Sequence, residues 1–277
     1  MTVIINNKNI SFFHLIREIF YNKFIIFELF KKDFKTSYAQ SLLGPLYFIL
    51  YPFIQAFFFN FLLTNFGKFN TANLPSFIFY LSGITLWNFI SISSIKCSEI
   101  YNVHRKVLGK LYINKLNFFI SAILISCVHF FINFIIFILI LIYYKFSFNA
   151  DISFSIRLFL LIPLVLFVML LSLAIGLIIS SLSLKYKDII YGLNFIFQIL
   201  MLISPVLFSV QTLDQNLYYI LYLNPFASLI ECFRWIFFKD YQIIYSLVLC
   251  NIIEILILFI VGAKMFVLVQ KKTADLI

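Results

Sequence analysis

Apolar stretches of about 20 residues recur along almost the whole chain, and each is long enough to cross a bilayer core of about 30 Å as a helix. They fall at residues 43–64, 76–95, 117–143, 157–183, 189–209 and 241–268. A chain so patterned cannot fold as a soluble globule. Of its 277 residues 63% are hydrophobic and 12% charged, against roughly 45–50% and about 25% in ordinary soluble domains. The sequence predicts an all-α integral membrane protein with six transmembrane helices.

Two segments do not fit that pattern. From Ser11 to Lys35, a 100° step per residue gathers His14, Arg17, Glu18, Asn22, Glu28, Lys31, Lys32 and Asp33 on one arc and mostly apolar residues on the other. This predicts an amphipathic helix lying in the membrane interface; a helix packed on a partner protein is the alternative. Residues 1–10 lack the apolar core and cleavage site of a signal peptide, so the N-terminus is expected to be retained. Residues 210–240 are apolar but broken by Asn224-Pro225 and carry Glu231, Arg234 and Lys239. A re-entrant outer segment is expected there, with a seventh span as the alternative. The chain thus divides into an N-terminal region, 1–42, and a transmembrane domain, 43–277.

Of the 21 basic residues, only Lys68, Lys145, Arg157, Arg234 and Lys239 fall on one side of the six spans. The positive-inside bias places both termini in the cytoplasm. It also accounts for the net charge of +10, and no run of Lys and Arg long enough for a nucleic-acid arm is present. Three His and four scattered Cys without CxxC spacing provide neither a metal site nor a disulfide framework.

Energy coupling leaves recognisable traces. None of the seven glycines belongs to a G-x-x-x-x-G-K-[ST] phosphate loop, so ATP hydrolysis is not expected of this chain. Ionisable residues deep in the spans are few. Glu254 is either a proton site or a carboxylate satisfied by Asn251 or a neighbouring helix, and His129 either a proton relay or an interhelical hydrogen-bonding residue. No carboxylate pair suits general acid and base catalysis. Glu231 and Arg234, three residues apart, read as a structural ion pair.

The loop 96–116 is more informative. It holds Arg105, Lys106, Lys110, Tyr112 and Lys115, with Ile100, Val103, Val107 and Leu111 at helical spacing. Either a short docking helix or a solvated positive-inside loop would carry this pattern. A second cytoplasmic turn reads Lys185-Tyr186-Lys187-Asp188.

Several motifs stand in order: Y-A-Q-S-L-L-G-P-L-Y (Tyr38 to Tyr47), L-S-G-I-T-L-W-N-F (Leu81 to Phe89), K-Y-K-D-I (Lys185 to Ile189), Ser204-Pro205-Val206, and N-P-F-A-S-L-I-E-C-F-R-W (Asn224 to Trp235). Over about residues 30 to 270 the chain resembles the permease subunit of type-2 ABC exporters, in the branch that moves O-antigen, capsular polysaccharide or teichoic acid. One departure falls at Lys110 to Lys115, K-L-Y-I-N-K, where the family's Lys-x-x-Phe-Pro-Arg becomes Asn114 and Lys115 at its last two positions.

The resemblance implies a homodimer with six helices per subunit in the bacterial inner membrane, bound to two copies of a separate ABC ATPase. That partner would carry the ATP and Mg; no cofactor is expected on this chain. Residues 100–115 would be the coupling helix, with Arg105, Lys106, Lys110, Tyr112 and Lys115 joined by Lys185, Tyr186, Lys187 and Asp188. A lipid-linked polysaccharide presents C–H faces and hydroxyls suited to an aromatic path, for which Tyr47, Tyr51, Phe58, Trp87, Phe195, Phe208 and Tyr218 are candidates. The runner-up is a type-2 exporter of a drug or lipid; a membrane glycosyltransferase or acyltransferase ranks below it.

Overall fold

The computed structural model describes residues 12–38, 46–67, 71–72, 74–108, 113–148, 152, 155–212 and 215–272. Among them the protein is helical, and its one β-feature is an isolated antiparallel bridge between Ile152 and Phe238.

The N-terminal amphipathic stretch forms two helices, α1 (Phe12–Tyr21) and α2 (Lys23–Tyr38), instead of the single one the periodicity predicts. The chain breaks at Asn22, although its amide still bonds Glu18 O and Ile19 O. The first apolar run gives α3 (Leu46–Leu62) with a wider π-type turn at Leu63–Gly67, and the second gives α4 (Ser76–Ser98). The loop that follows contains two single-turn helices, α5 (Ile100–Val103) and α6 (Arg105–Leu108), and residues 109–112 lie outside the described residues. Then come α7 (Leu116–Phe148), α8 (Leu161–Ser183) led by a 3-10 turn at Ile156–Leu160, and α9 (Asp188–Ile203). The interrupted segment becomes α10 (Gln215–Tyr222) and α11 (Ala227–Phe237), and α12 (Tyr245–Lys272) closes the chain.

Among the described residues four helices are long and apolar enough to cross a membrane by length and composition: Ser76–Ser98, Leu116–Phe148, Ile156–Ser183 and Tyr245–Gln270. Asp188–Ile203 is a shorter apolar helix, and α3 carries Pro52 within it. The fifth apolar run ends as a helix at Ile203, where Ser204 turns extended (ψ 153°) ahead of Pro205.

The buried centre is α4, which packs on α3, α7, α8, α9 and α11. Its small residues permit this, because close helix approach in a membrane depends on small side chains. A Cβ on Gly176 of α8 would collide with Cys97 Cβ, and one on Gly262 of α12 would stand 2.8 Å from Ala174 O of α8. The hydroxyls of Ser82, Thr85, Ser93 and Ser98 donate to carbonyls three or four residues back, which satisfies these donors within the helix. Ser93 Oγ also meets Ser172 Oγ of α8 at 2.5 Å. With Cys97 opposite Gly176, this contact shows α4 and α8 running parallel. On the far side Phe134 and Phe137 of α7 interlock with Phe233 and Phe237 of α11, ring centroids 5.3–6.3 Å apart.

Candidate transport groove and coupling surface

A groove of about 390 Å³ opens between α3, α4 and α9, with α7 behind it. Amides line it: Gln55 from α3, Asn88 from α4, Asn133 from α7, and Asn194 and Gln198 from α9. The i, i+4 spacing of Asn194 and Gln198 sets both on one helical face. Asn88 Nδ2 donates to Gln55 Oε1 (3.4 Å), and Gln55 Nε2 approaches Met201 Sδ (3.6 Å). Among the described residues the lining has no charged side chain. Unpaired amides in hydrocarbon are costly, so five of them converging in one place mark a polar cavity. Each amide offers two donors and an acceptor, which suits a neutral, hydroxyl-rich solute.

Three of the seven aromatic candidates stand at this groove. Tyr47 and Tyr51 stack at 5.9 Å. Trp87 meets Phe197 and Phe226 edge-on at 6.0 and 5.4 Å, so one wall is rigid. Phe58 and Phe195 are exposed and do not line the groove. Phe208 packs on a small separate cluster with Val210, Leu221, Ala227 and Leu247, and the side chain of Tyr218 lies outside the described residues. The groove residues not singled out from sequence as a path, Gln55, Asn194 and Gln198, share a usable signal: they are amides inside apolar runs.

The segment 210–240 is fastened by Arg234, which is fully buried. Its guanidinium donates to Glu231 Oε1 (3.2 Å), Pro205 O (2.5 Å), Val206 O (2.8 Å) and Ser82 Oγ (3.3 Å), and lies over the Phe79 ring at 3.6 Å. Tyr241 OH donates to Glu231 Oε1 (2.8 Å). Nearby, Asn224 Nδ2 donates to Ser204 Oγ (3.0 Å). The motif stretches around Ser82, Ser204 and Asn224 to Arg234 therefore meet in space. Gly83 is required there, since a Cβ would stand 2.9 Å from both Val206 O and Arg234 Nη2.

At the opposite end, His104 Nε2 lies 3.4 Å from Asp33 Oδ2 and joins α2 to the turn before α6. Arg105 is exposed and opens α6, Lys106 follows it there with its side chain outside the described residues, and Lys110 and Tyr112 lie outside them altogether. Lys115 Nζ sits 5.9 Å from the Tyr101 ring centroid. Burial lowers the Lys115 pKa and raises that of Tyr101. Lys185 lies over the Tyr186 ring at 4.9 Å, and Tyr186, Lys187 and Asp188 are exposed. Asp188 opens α9, where a carboxylate complements the helix dipole. Because α4 and α8 run parallel, both basic turns fall at the same end of the bundle.

Within the spans, Glu254 accepts a hydrogen bond from Asn251 (3.1 Å), whose Oδ1 accepts from Ser228 N (3.1 Å). Among the described residues no three His, Cys, Asp or Glu side chains cluster as metal ligands.

A multi-helix membrane bundle with a charge-free polar groove and basic turns at one end defines a transport subunit. Residues 25–238 match the family model described as ABC-2 type transporter, and the chain belongs to that family. It is thus a multi-pass membrane protein of a system whose ABC ATPase is a separate subunit. Two relatives, each an O-antigen export system permease protein RfbA of Klebsiella pneumoniae, are 22% identical over 265 residues, covering 93% of this chain and 98% of the relative.

Proposed function

We propose that the chain is the permease of an ATP-driven exporter that carries a lipid-linked polysaccharide of O-antigen, capsular or teichoic-acid type across the bacterial inner membrane. The observation that carries this reading is the charge-free groove of amides and aromatic rings between α3, α4 and α9. Sugars bind through hydroxyl hydrogen bonds and C–H contacts with ring faces, and both partners are present there. The resemblance to O-antigen export permeases agrees with it.

In this reading α3, α4, α7, α8, α9 and α12 are six crossings of the domain 43–277, both termini are cytoplasmic, and α10 and α11 dip back from the outer face. Two copies meet across α3 and α9, whose exposed Ile54, Phe57, Phe58, Phe195 and Leu202 flank the groove, so that a path forms along the dimer axis. Two ATPase subunits dock on α5, α6 and the Lys185 to Asp188 turn, and the ATP and Mg belong to them. Deleting the chain should leave finished glycan in the cytoplasm, with export restored by the wild-type gene. Normal export in the deletion strain would favour a drug or lipid as cargo.

A further inference from the structure

On the side of the bundle away from the groove, two adjoining cavities share Trp235, Ile243 and Tyr245. One, of about 310 Å³, is an apolar furrow between α8, α11 and α12, floored by side chains such as Leu164, Phe167 and Val248. The other, of about 440 Å³, is polar and carries Arg157, Lys239 and Asp240. Arg157 is held in place: its guanidinium stacks on the Trp235 ring at 4.6 Å, and Nη1 donates to Trp235 O (3.4 Å) and Lys239 O (3.5 Å). Its Nε and Nη2 donors, and the exposed Lys239 ammonium, take no acceptor among the described residues. These are two of the few cations on this side of the bundle, so the positive-inside pattern does not account for them.

An acyl-sized apolar furrow ending under a fixed guanidinium and a free ammonium matches one kind of molecule. We infer that this composite site binds a phospholipid with an anionic headgroup, phosphatidylglycerol or cardiolipin, its chain in the furrow and its phosphate on Arg157 and Lys239. With Asp240 counted, the headgroup pocket carries one net positive charge. One such charge is worth about five-fold in preference for an anionic over a zwitterionic lipid. The inference rests on the reading that these helices span a bilayer, and on nothing about the cargo.

Trp235, one of only two tryptophans, lines both cavities and is a built-in reporter. A Trp87→Phe variant of the full chain, used for fluorescence alone, is reconstituted in phosphatidylcholine vesicles with brominated phosphatidylglycerol or brominated phosphatidylcholine as quencher. Brominated phosphatidylglycerol should bind about five-fold more strongly by quenching. Lys239→Gln, at an exposed side chain whose ammonium makes no contact among the described residues, should bring the ratio to about one, and Arg157→Gln should lower it as well. Equal quenching by the two lipids, or a preference that survives both substitutions, overturns the inference. It is overturned too if a few mole per cent of a polyprenyl pyrophosphate relieves the quenching while the same amount of unlabelled phosphatidylglycerol does not, since the furrow would then belong to the cargo's tail. Loss of glycan export in the deletion strain is read separately, so either idea can fail without the other.

Discussion

Asn114 reaches across the chain to Glu18: its Nδ2 donates to Glu18 Oε2 at 3.1 Å while its Oδ1 accepts from Leu116 N at 3.1 Å. One side chain thus satisfies the first turn of α7 and fastens α1 to the loop before α7. Asn114→Ala should cost about 1 kcal/mol, as loss of a helix cap does, and loosen α1. Hydrogen exchange should quicken over residues 12–21; unchanged exchange there would show that other contacts hold α1.

Arg234 donates to α4, to the stretch after α9 and to Glu231 of its own helix, so its removal leaves several buried carbonyls without a donor and the Glu231 carboxylate without its counter-charge, held by Tyr241 OH alone. Arg234→Met should destabilise the protein by about 3–5 kcal/mol. Arg234→Lys should recover little, because an ammonium cannot reproduce the planar fork of donors. Thermal unfolding in detergent measures both, and near wild-type stability in Arg234→Lys would show that charge alone suffices.

Gly176→Ala places a methyl against Cys97 and should cost about 1–3 kcal/mol, as overpacking does. Cys97→Gly removes the opposing Cβ. The double variant should therefore be more stable than Gly176→Ala alone, even after the penalty of about 1 kcal/mol for Gly in a helix.

Asn194 and Gln198 make no hydrogen bond within the described residues and face the groove. Replacing both by Leu should leave the melting temperature unchanged or slightly higher. Glycan export should fall by on the order of ten-fold, the value of two modest hydrogen bonds. Full export in the double variant would remove these amides from the path.

Burial pushes the Glu99 carboxyl above its ordinary pKa, with Lys96 opposing. The folded protein therefore holds this proton more tightly than the unfolded chain. That stabilisation is complete below the unfolded value of about 4.3 and is lost as pH rises through the raised folded value. Glu99→Gln, always neutral, should melt higher than wild type at neutral pH and match it near about pH 4. The same advantage at both pH values would mean the gain has another source.

The long helices were legible because span length is set by bilayer thickness, and α7, α8 and α12 are nearly unbroken apolar runs. The break at Asn22 was not, since the amphipathic period continues on both sides of it. Ring chemistry points to Tyr47, Tyr51 and Trp87, but with 38 Phe in the chain abundance cannot separate these from Phe58 and Phe195, which do not line the groove. The sharper signal was rarity: amides inside apolar runs. The convergence of Ser82, Ser204 and Arg234 depends on contacts between residues far apart in sequence, which no local pattern encodes.

The groove's lack of charge has an electrical consequence. A wall of carboxylates or ammonium groups would attract counter-ions and tie each step of a passing molecule to the membrane potential, which is worth about 2.3 kcal/mol per elementary charge per 100 mV. The groove has no such group among its described lining residues. An uncharged stretch of sugar sliding along it would do no work against the voltage, so the resting potential would act on the phosphates of a lipid carrier and not on the neutral sugar that follows them.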